Sequence, residues 1–309
     1  MALQLFLKFC TFTRNHRVKL LGASSLGLFA ANISYHVLPD QTFRKVYQAW
    51  SKGEPAQLSE RLHQLFQDVL AEARCPSPSG YTPFAGYGFH PTSAGVPWLP
   101  GGCMIGIPAN YNNMGEDGAG IVERLLVING EEVDWSSDLG KRLRDCLVFS
   151  TDAKKFSLAR EAVHAQSGGP LIQASVAPVC LTAVCVSSVG LKQLLGLYTG
   201  PILLRGIFNL LAITVGLTGY FLCSDSVNQW LDFRADSKAA AISKSYAQGG
   251  LEFYDKILAR NRILRGIMGK QGETMYAPSG NVFPKPKVRL KHAPYTARRA
   301  RIQRTLETM

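Results

Sequence analysis

Two long apolar runs stand almost back to back near the middle of the chain, and the polar pattern on either side is arranged around them. Pro170 to Leu191 holds no charged side chain in 22 residues. At about 1.5 Å rise per residue, that is enough helix to cross a hydrocarbon layer of roughly 30 Å. Leu197 to Leu222 has a single charge, Arg205, close to one end, where a long side chain reaches back to the headgroups. A third stretch, Val18 to Leu38, is 21 residues long with Lys19 at its edge, long enough to be kept as a membrane anchor. The pattern predicts about three transmembrane helices, one N-terminal anchor plus a hairpin. A hairpin also returns its flanking polar helices, Lys154 to Gln166 and Val227 to Gln248, to one side of the membrane. The competing reading, two buried helices of a large soluble α protein, fits uncharged runs of this length poorly.

The remaining segments alternate in shorter periods. Phe43, Val46, Tyr47 and Trp50, then Leu58, Leu62, Leu65, Phe66, Val69 and Leu70 behind a Ser59 cap, recur at helical spacing and predict two amphipathic helices. Cys75 to Pro108 holds 14 Gly or Pro in 34 residues, which excludes a regular helix and predicts short strands joined by turns. Met104 to Pro108 and Arg124 to Val133 read as strands, the latter with an Asn129-Gly130 turn, and Ser137 to Leu147 as a helix capped by Ser136 or Ser137. Val227 to Gln248 is Ala-rich and predicted to end at Gly249-Gly250, with a short helix Leu251 to Leu264 beyond. The fold class is therefore an α-helical membrane protein with an α+β extramembrane domain. Its parts are a basic tail (1–17), the anchor (18–38), the α+β domain (40–167), the hairpin helices (170–191 and 197–222), a helical segment packing on the domain (223–264) and a basic Pro/Gly-containing tail (265–309).

Charge sharpens this division. Of the formal +12, positions 1 to 39 carry four Lys/Arg and no acid, positions 40 to 169 carry 12 against 15, and positions 223 to 309 carry 16 against 7. A basic, acid-free N-terminus has the composition of a mitochondrial targeting segment rather than a secretory signal. Arg14, Arg17 and Lys19 face no basic residue from Leu38 to Phe43, which points the N-terminus to the matrix and the domain to the intermembrane space. Between Lys256 and Arg304 stand 13 Lys/Arg against the single Glu273, broken by Pro278, Gly280, Pro284, Pro286 and Pro294, so much of this tail is expected to be extended. Lys285, Lys287, Arg289, Lys291, Arg298 and Arg299 are its candidate contacts to anionic lipid or a partner. No RNA-binding motif accompanies them, and no specific nucleic acid is expected. The seven cysteines form no C-x-x-C pair. A bridge among Cys75, Cys103 and Cys146 stays open for an oxidising compartment.

Candidate chemistry lies on the two polar helices that flank the hairpin. Positions 160 to 164 read Arg-Glu-Ala-Val-His, the H-E-x-x-H zinc-protease helix with its first histidine replaced by arginine. In the intact motif, residues i and i+4 share a helix face, two imidazoles hold one zinc, and the glutamate between them activates water. After the hairpin comes Asp232-Phe233-Arg234-Ala235-Asp236, similar to the E-x-x-A-D helix that supplies the third ligand. Order and spacing resemble membrane-embedded zinc peptidases of the Ste24, HtpX and Oma1 type over Lys154 to Leu264. The chemistry is lost in the substitutions. A guanidinium at Arg160 has no lone pair and repels a cation, and Asp232 is one methylene shorter than the ligand glutamate. Glu161 and His164 alone keep their positions. A degenerate zincin-like helix pair is expected, with no metal, no cofactor and no proteolysis. Arg160 is expected to pair with Asp232 across the two helices, supported by Asp236 and His164.

Asn15-His16-Arg17, Ile33-Ser34-Tyr35-His36, Ser93-Ala94-Gly95, Gly106-Ile107-Pro108-Ala109, the run Lys155 to Glu161, Gly249 to Tyr254, Pro278-Ser279-Gly280-Asn281 and Lys291 to Thr296 resemble the transmembrane protein 177 family over nearly the full length. That resemblance implies the mitochondrial inner membrane and a non-enzymatic role in making cytochrome c oxidase, stabilising new subunit 2 together with its membrane chaperone. The alternatives are an active membrane-embedded zinc metallopeptidase, and a membrane adaptor whose basic tail binds mitochondrial ribosome, RNA or anionic lipid.

Overall fold

A computed structural model describes residues 2–51, 53–112, 127–128, 131–284 and 289–309. The predicted Asn129-Gly130 turn and most of the strand from Arg124 lie outside the described residues, as do Lys285 and Lys287. The chain divides into two compact units, one of residues 1–34 and 171–227, the other of residues 35–170 and 228–309.

The first unit is helical: α1 (Ala2–Asn15), α2 (Arg17–Val37), α6 (Gly169–Leu194) and the greater part of α7 (Ile202–Ala240). The last two are antiparallel neighbours. Gly216 meets Val184 so closely that a Cβ there would lie 2.8 Å from its methyl, and Lys192 sits over the Phe208 ring. Both are long and apolar enough to cross a membrane. Val179, Val186, Leu203, Leu210, Ile213 and Val215 are each more than half exposed, which apolar side chains of a soluble core helix are not. The two are therefore candidate membrane-spanning helices, and neither is a buried core helix of this chain. α2 is less apolar, with Arg17 and Lys19 in its first turn and Asn32, Ser34 and His36 toward its end, and falls outside that pair.

In the second unit the Gly/Pro-rich segment makes a three-stranded sheet of β1 (Tyr81–Gly86), β2 (Thr92–Gly95) and β3 (Cys103–Pro108), in the order β1-β3-β2. β1 runs parallel and β2 antiparallel to β3. Side chains alternate between the faces. Tyr81, Cys103, Ile105 and Ile107 join the main core with α3 (Glu60–Glu72) and α5 (Thr151–Gln166). Phe84, Ala94 and Met104 face the other way, where Phe43 covers them with Tyr35 and Tyr47. The predicted helix through Phe43 and Trp50 is instead a wide turn, Asp40–Arg44, one further turn to Tyr47, and a Trp50–Ser51/Glu54–Pro55 ladder. The sheet dictates this. Ala49 N–H donates to the Ala85 carbonyl and Tyr87 N–H to the Tyr47 carbonyl, drawing the segment out along the β1 edge.

Other boundaries follow the caps. Ser59 accepts from Leu62 N–H to start α3, Ser137 from Gly140 N–H to start α4 (Asp138–Leu147), and Ser150 from Ala153 N–H to start α5 one turn earlier than Lys154. Two expectations are corrected. The apolar run ending at Leu222 and the polar helix after it are one continuous element, α7. The chain then breaks at Ala241–Ser243, and Gly249-Gly250 lies inside α8 (Lys244–Ile267) instead of ending a helix. The glycine pair serves packing: a Cβ on Gly249 would lie 2.3 Å from the Asp152 backbone and one on Gly250 2.8 Å from the Phe156 ring. Two hydrogens let α8 press onto α5 and close the core of Phe156, Phe253 and Tyr254.

The described part of the tail is more helical than the extended chain expected. After α9 (Gly269–Met275) it returns through Asn281, whose amide donates to Thr296, and forms α10 (Tyr295–Glu307) against α8, with Ile302 wholly buried. Cys75, Cys103 and Cys146 are free thiols.

Candidate functional site

α5 and α7 bring the two halves of the motif face to face. Arg160 places its three guanidinium nitrogens against three carboxylates: Nη1 on Glu161, Nη2 on Asp232 at 2.9 Å and Nε 3.1 Å from Asp236. The first two are hydrogen bonds. The Nε–H is not aimed at its oxygen, so that contact is an ion pair only. The expected Arg160–Asp232 pair is present, and Asp236 joins it directly rather than standing behind it. Glu161 also accepts from the Ser93 hydroxyl of β2 at 2.6 Å.

A second guanidinium closes the cluster. Arg298 of α10, grouped by the sequence with the lipid-facing tail, is buried. Its Nε and Nη2 donate to both oxygens of Asp236, at 2.6 and 2.8 Å, and its plane lies over the Tyr254 ring. Tyr254 Oη donates to the same carboxylate. Asp232 takes the Ala293 backbone N–H and has the His292 ring nitrogen at 3.1 Å. Arg298 is therefore not a membrane contact. Nor is Arg299 free, since it makes a bidentate pair with Asp255 on the surface. Arg289 is half-buried and engaged, and Lys291 alone of the described group stands exposed.

Electrostatics follow from this packing. Burial alone would raise the Asp232 carboxyl, but the His292 hydrogen bond and the charges of Arg298 and Arg160 outweigh it and hold it well below the usual carboxylate range. Burial lowers His164, and its imidazole packs on Gly169, outside the ion pairs of the cluster. His90, which sequence reasoning missed, is half-buried, with its Nδ1 enclosed and unpartnered. Burial, then Arg260, Arg160, Arg298 and His292, push it down to about 3.

These residues do not fit a zinc ion. Among the described residues no three His, Cys, Asp or Glu side chains are disposed to hold a metal. The space between the carboxylates is filled by a group that only donates. What the arrangement does chemically is join α5, α7 and α10: three carboxylates bridged by two guanidinia, each bond charge-assisted. Ser93, Tyr254, His292 and Ala293 all lie inside blocks that carry the family resemblance, and Arg298 stood among the tail cations, but nothing local tied any of them to this cluster.

Fold and site together define a helical membrane protein whose extramembrane domain carries a closed ion-pair cluster at the junction of three helices. A family model described as Transmembrane protein 177 matches residues 122–288. The chain is 63% identical over 302 residues to Transmembrane protein 177 of Xenopus laevis, covering 98% of this chain and 97% of that protein. It is 52% identical to the Danio rerio protein over the same shares, and 43% identical to the Homo sapiens protein over 93% of this chain and 92% of that one. The chain belongs to the transmembrane protein 177 family. No solved structure matches it.

Proposed function

We propose that this protein is a non-enzymatic assembly factor of the mitochondrial inner membrane, which stabilises newly made cytochrome c oxidase subunit 2 together with its membrane chaperone. α2 is its third span, and the domain faces the intermembrane space. The observation that carries the non-enzymatic part is Arg160, whose guanidinium bonds Glu161 and Asp232 where a peptidase of similar layout would need a metal-binding lone pair. The family resemblance carries the client. The basic, acid-free N-terminus supports the compartment.

One set of measurements tests this. Purified full-length protein is expected to contain far less than one zinc per chain and to leave peptides intact with or without chelator, while affinity purification from mitochondria co-isolates subunit 2. Zinc near one per chain with chelator-sensitive cleavage would instead establish the peptidase.

A further inference from the structure

Three of the chain's four tryptophans lie at least half exposed: Trp50 at 64%, Trp98 at 61% and Trp230 at 50%. A soluble domain buries most of this ring, and the bilayer interface is where an amphipathic indole is stable. One of the three, Trp50, ends a surface layer of the domain. The segment from Pro39 to Trp50 covers the Phe84–Met104 face of the sheet, and it continues directly from the end of α2. Phe43 points inward from this layer, while Val46 and Trp50 are left on its outside.

The two ends of the sheet carry the same character. Trp98 is in the turn between β2 and β3, held by Val96 N–H on the Gly102 carbonyl and Gly102 N–H on the Leu99 carbonyl. That turn presses on the end of α2: a Cβ on Gly101 would lie 2.5 Å from the Val37 carbonyl. Tyr87, 80% exposed, follows β1 at the opposite end, about 17 Å away along β3 at roughly 3.3 Å per residue. Lys45 lies exposed beside Val46, the company an anionic headgroup layer favours. Trp230 stands three residues beyond the end of the membrane unit on α7, with Arg234 over its ring.

We propose that the outer surface of the Pro39–Trp50 layer, flanked by Tyr87 and Trp98, is a bilayer-contact face that rests in the headgroup region. The occupant is lipid, because this layer is the continuation of the helix leaving the membrane. The inference rests on reading Val18–Leu38 as a span. It gives the domain a fixed seat on the membrane instead of a flexible tether.

The test is fluorescence quenching of full-length protein in phosphatidylcholine/phosphatidylglycerol vesicles that contain phosphatidylcholine brominated near the headgroup. Variants keep one tryptophan each, the others replaced by phenylalanine. Trp50 and Trp98 are expected to lose roughly half their emission or more, as interfacial indoles do. Trp135, packed on the Leu143–Leu147 cluster, is expected to keep its own. A tryptophan-free chain carrying Leu210→Trp reports insertion of the hairpin with deep-brominated lipid. If that probe is quenched and Trp50 and Trp98 are not, the contact face is overturned and the spans stand. If the hairpin probe is unquenched as well, the spans fall and the face with them.

Discussion

Replacing Arg160 by methionine removes the cation that faces three carboxylates at once. The side chain is nearly buried, and Glu161, Asp232 and Asp236 are more so, with Asp236 fully enclosed. Methionine fills much of the volume, so the loss is electrostatic. Arg298 remains as the sole guanidinium against three carboxylates, and Glu161 keeps only the Ser93 hydroxyl. Removing one partner of a buried pair costs about 3–5 kcal/mol, because the other charge is left without compensation. For a domain of about 200 residues, roughly 2–4 °C per kcal/mol converts this into a fall in Tm of about 6–20 °C. Thermal melting of the detergent-solubilised chain, followed by circular dichroism, measures it. Adding Glu161→Gln to the methionine variant is expected to recover part of the loss by removing one surplus charge. A methionine variant melting within about 2 °C of the parent, or a Glu161→Gln addition that only deepens the loss, would refute the idea that the cation is what holds the helices together.

Two further outcomes follow from the same geometry. Arg298→Ala is expected to cost as much as the Arg160 change. Arg299→Ala, which loses a half-exposed pair with Asp255, is expected to stay within about 1 kcal/mol. Equal effects in denaturant melts would show that the tail arginines are alike after all. Acid is expected to destabilise the domain early. His90 has its folded pKa at about 3, below its unfolded value, so its contribution is complete above roughly pH 6.5 and declines by about 1.4 kcal/mol per unit as pH falls toward the folded value. Asp232, also depressed, adds to the loss below roughly pH 4. A His90→Gln chain that keeps the full slope of stability between pH 6 and 4 would contradict this.

The local signals that could be read were those that act within a few residues. Ser59 and Ser137 announce α3 and α4 because a cap reaches only three residues on. The uncharged runs announce the hairpin because lipid sets their length. Arg160 and Asp232 were legible as a pair because two helix motifs with known spacing framed them. What stayed hidden depends on distant chain. Arg298 looks like one more cation in Arg298-Arg299-Ala300-Arg301 until Asp236 is placed against it. α10 has a thin apolar stripe, Ile302 and Leu306, and folds by docking on α8 rather than by its own periodicity. Gly249-Gly250 reads as a helix end by propensity, yet the backbone of Asp152 lies where its side chains would be. The helix through Phe43 lost to the sheet edge, which offered its backbone partners.

The second guanidinium bears on what a substitution at the first can achieve. A histidine introduced at position 160 would still leave Arg298 lodged against Asp236, with the C-terminal helix holding it there. A metal-binding arrangement would need both cations replaced, and replacing either alone leaves buried carboxylates without a partner. Relatives can be sorted by whether they carry one of these two cations or both.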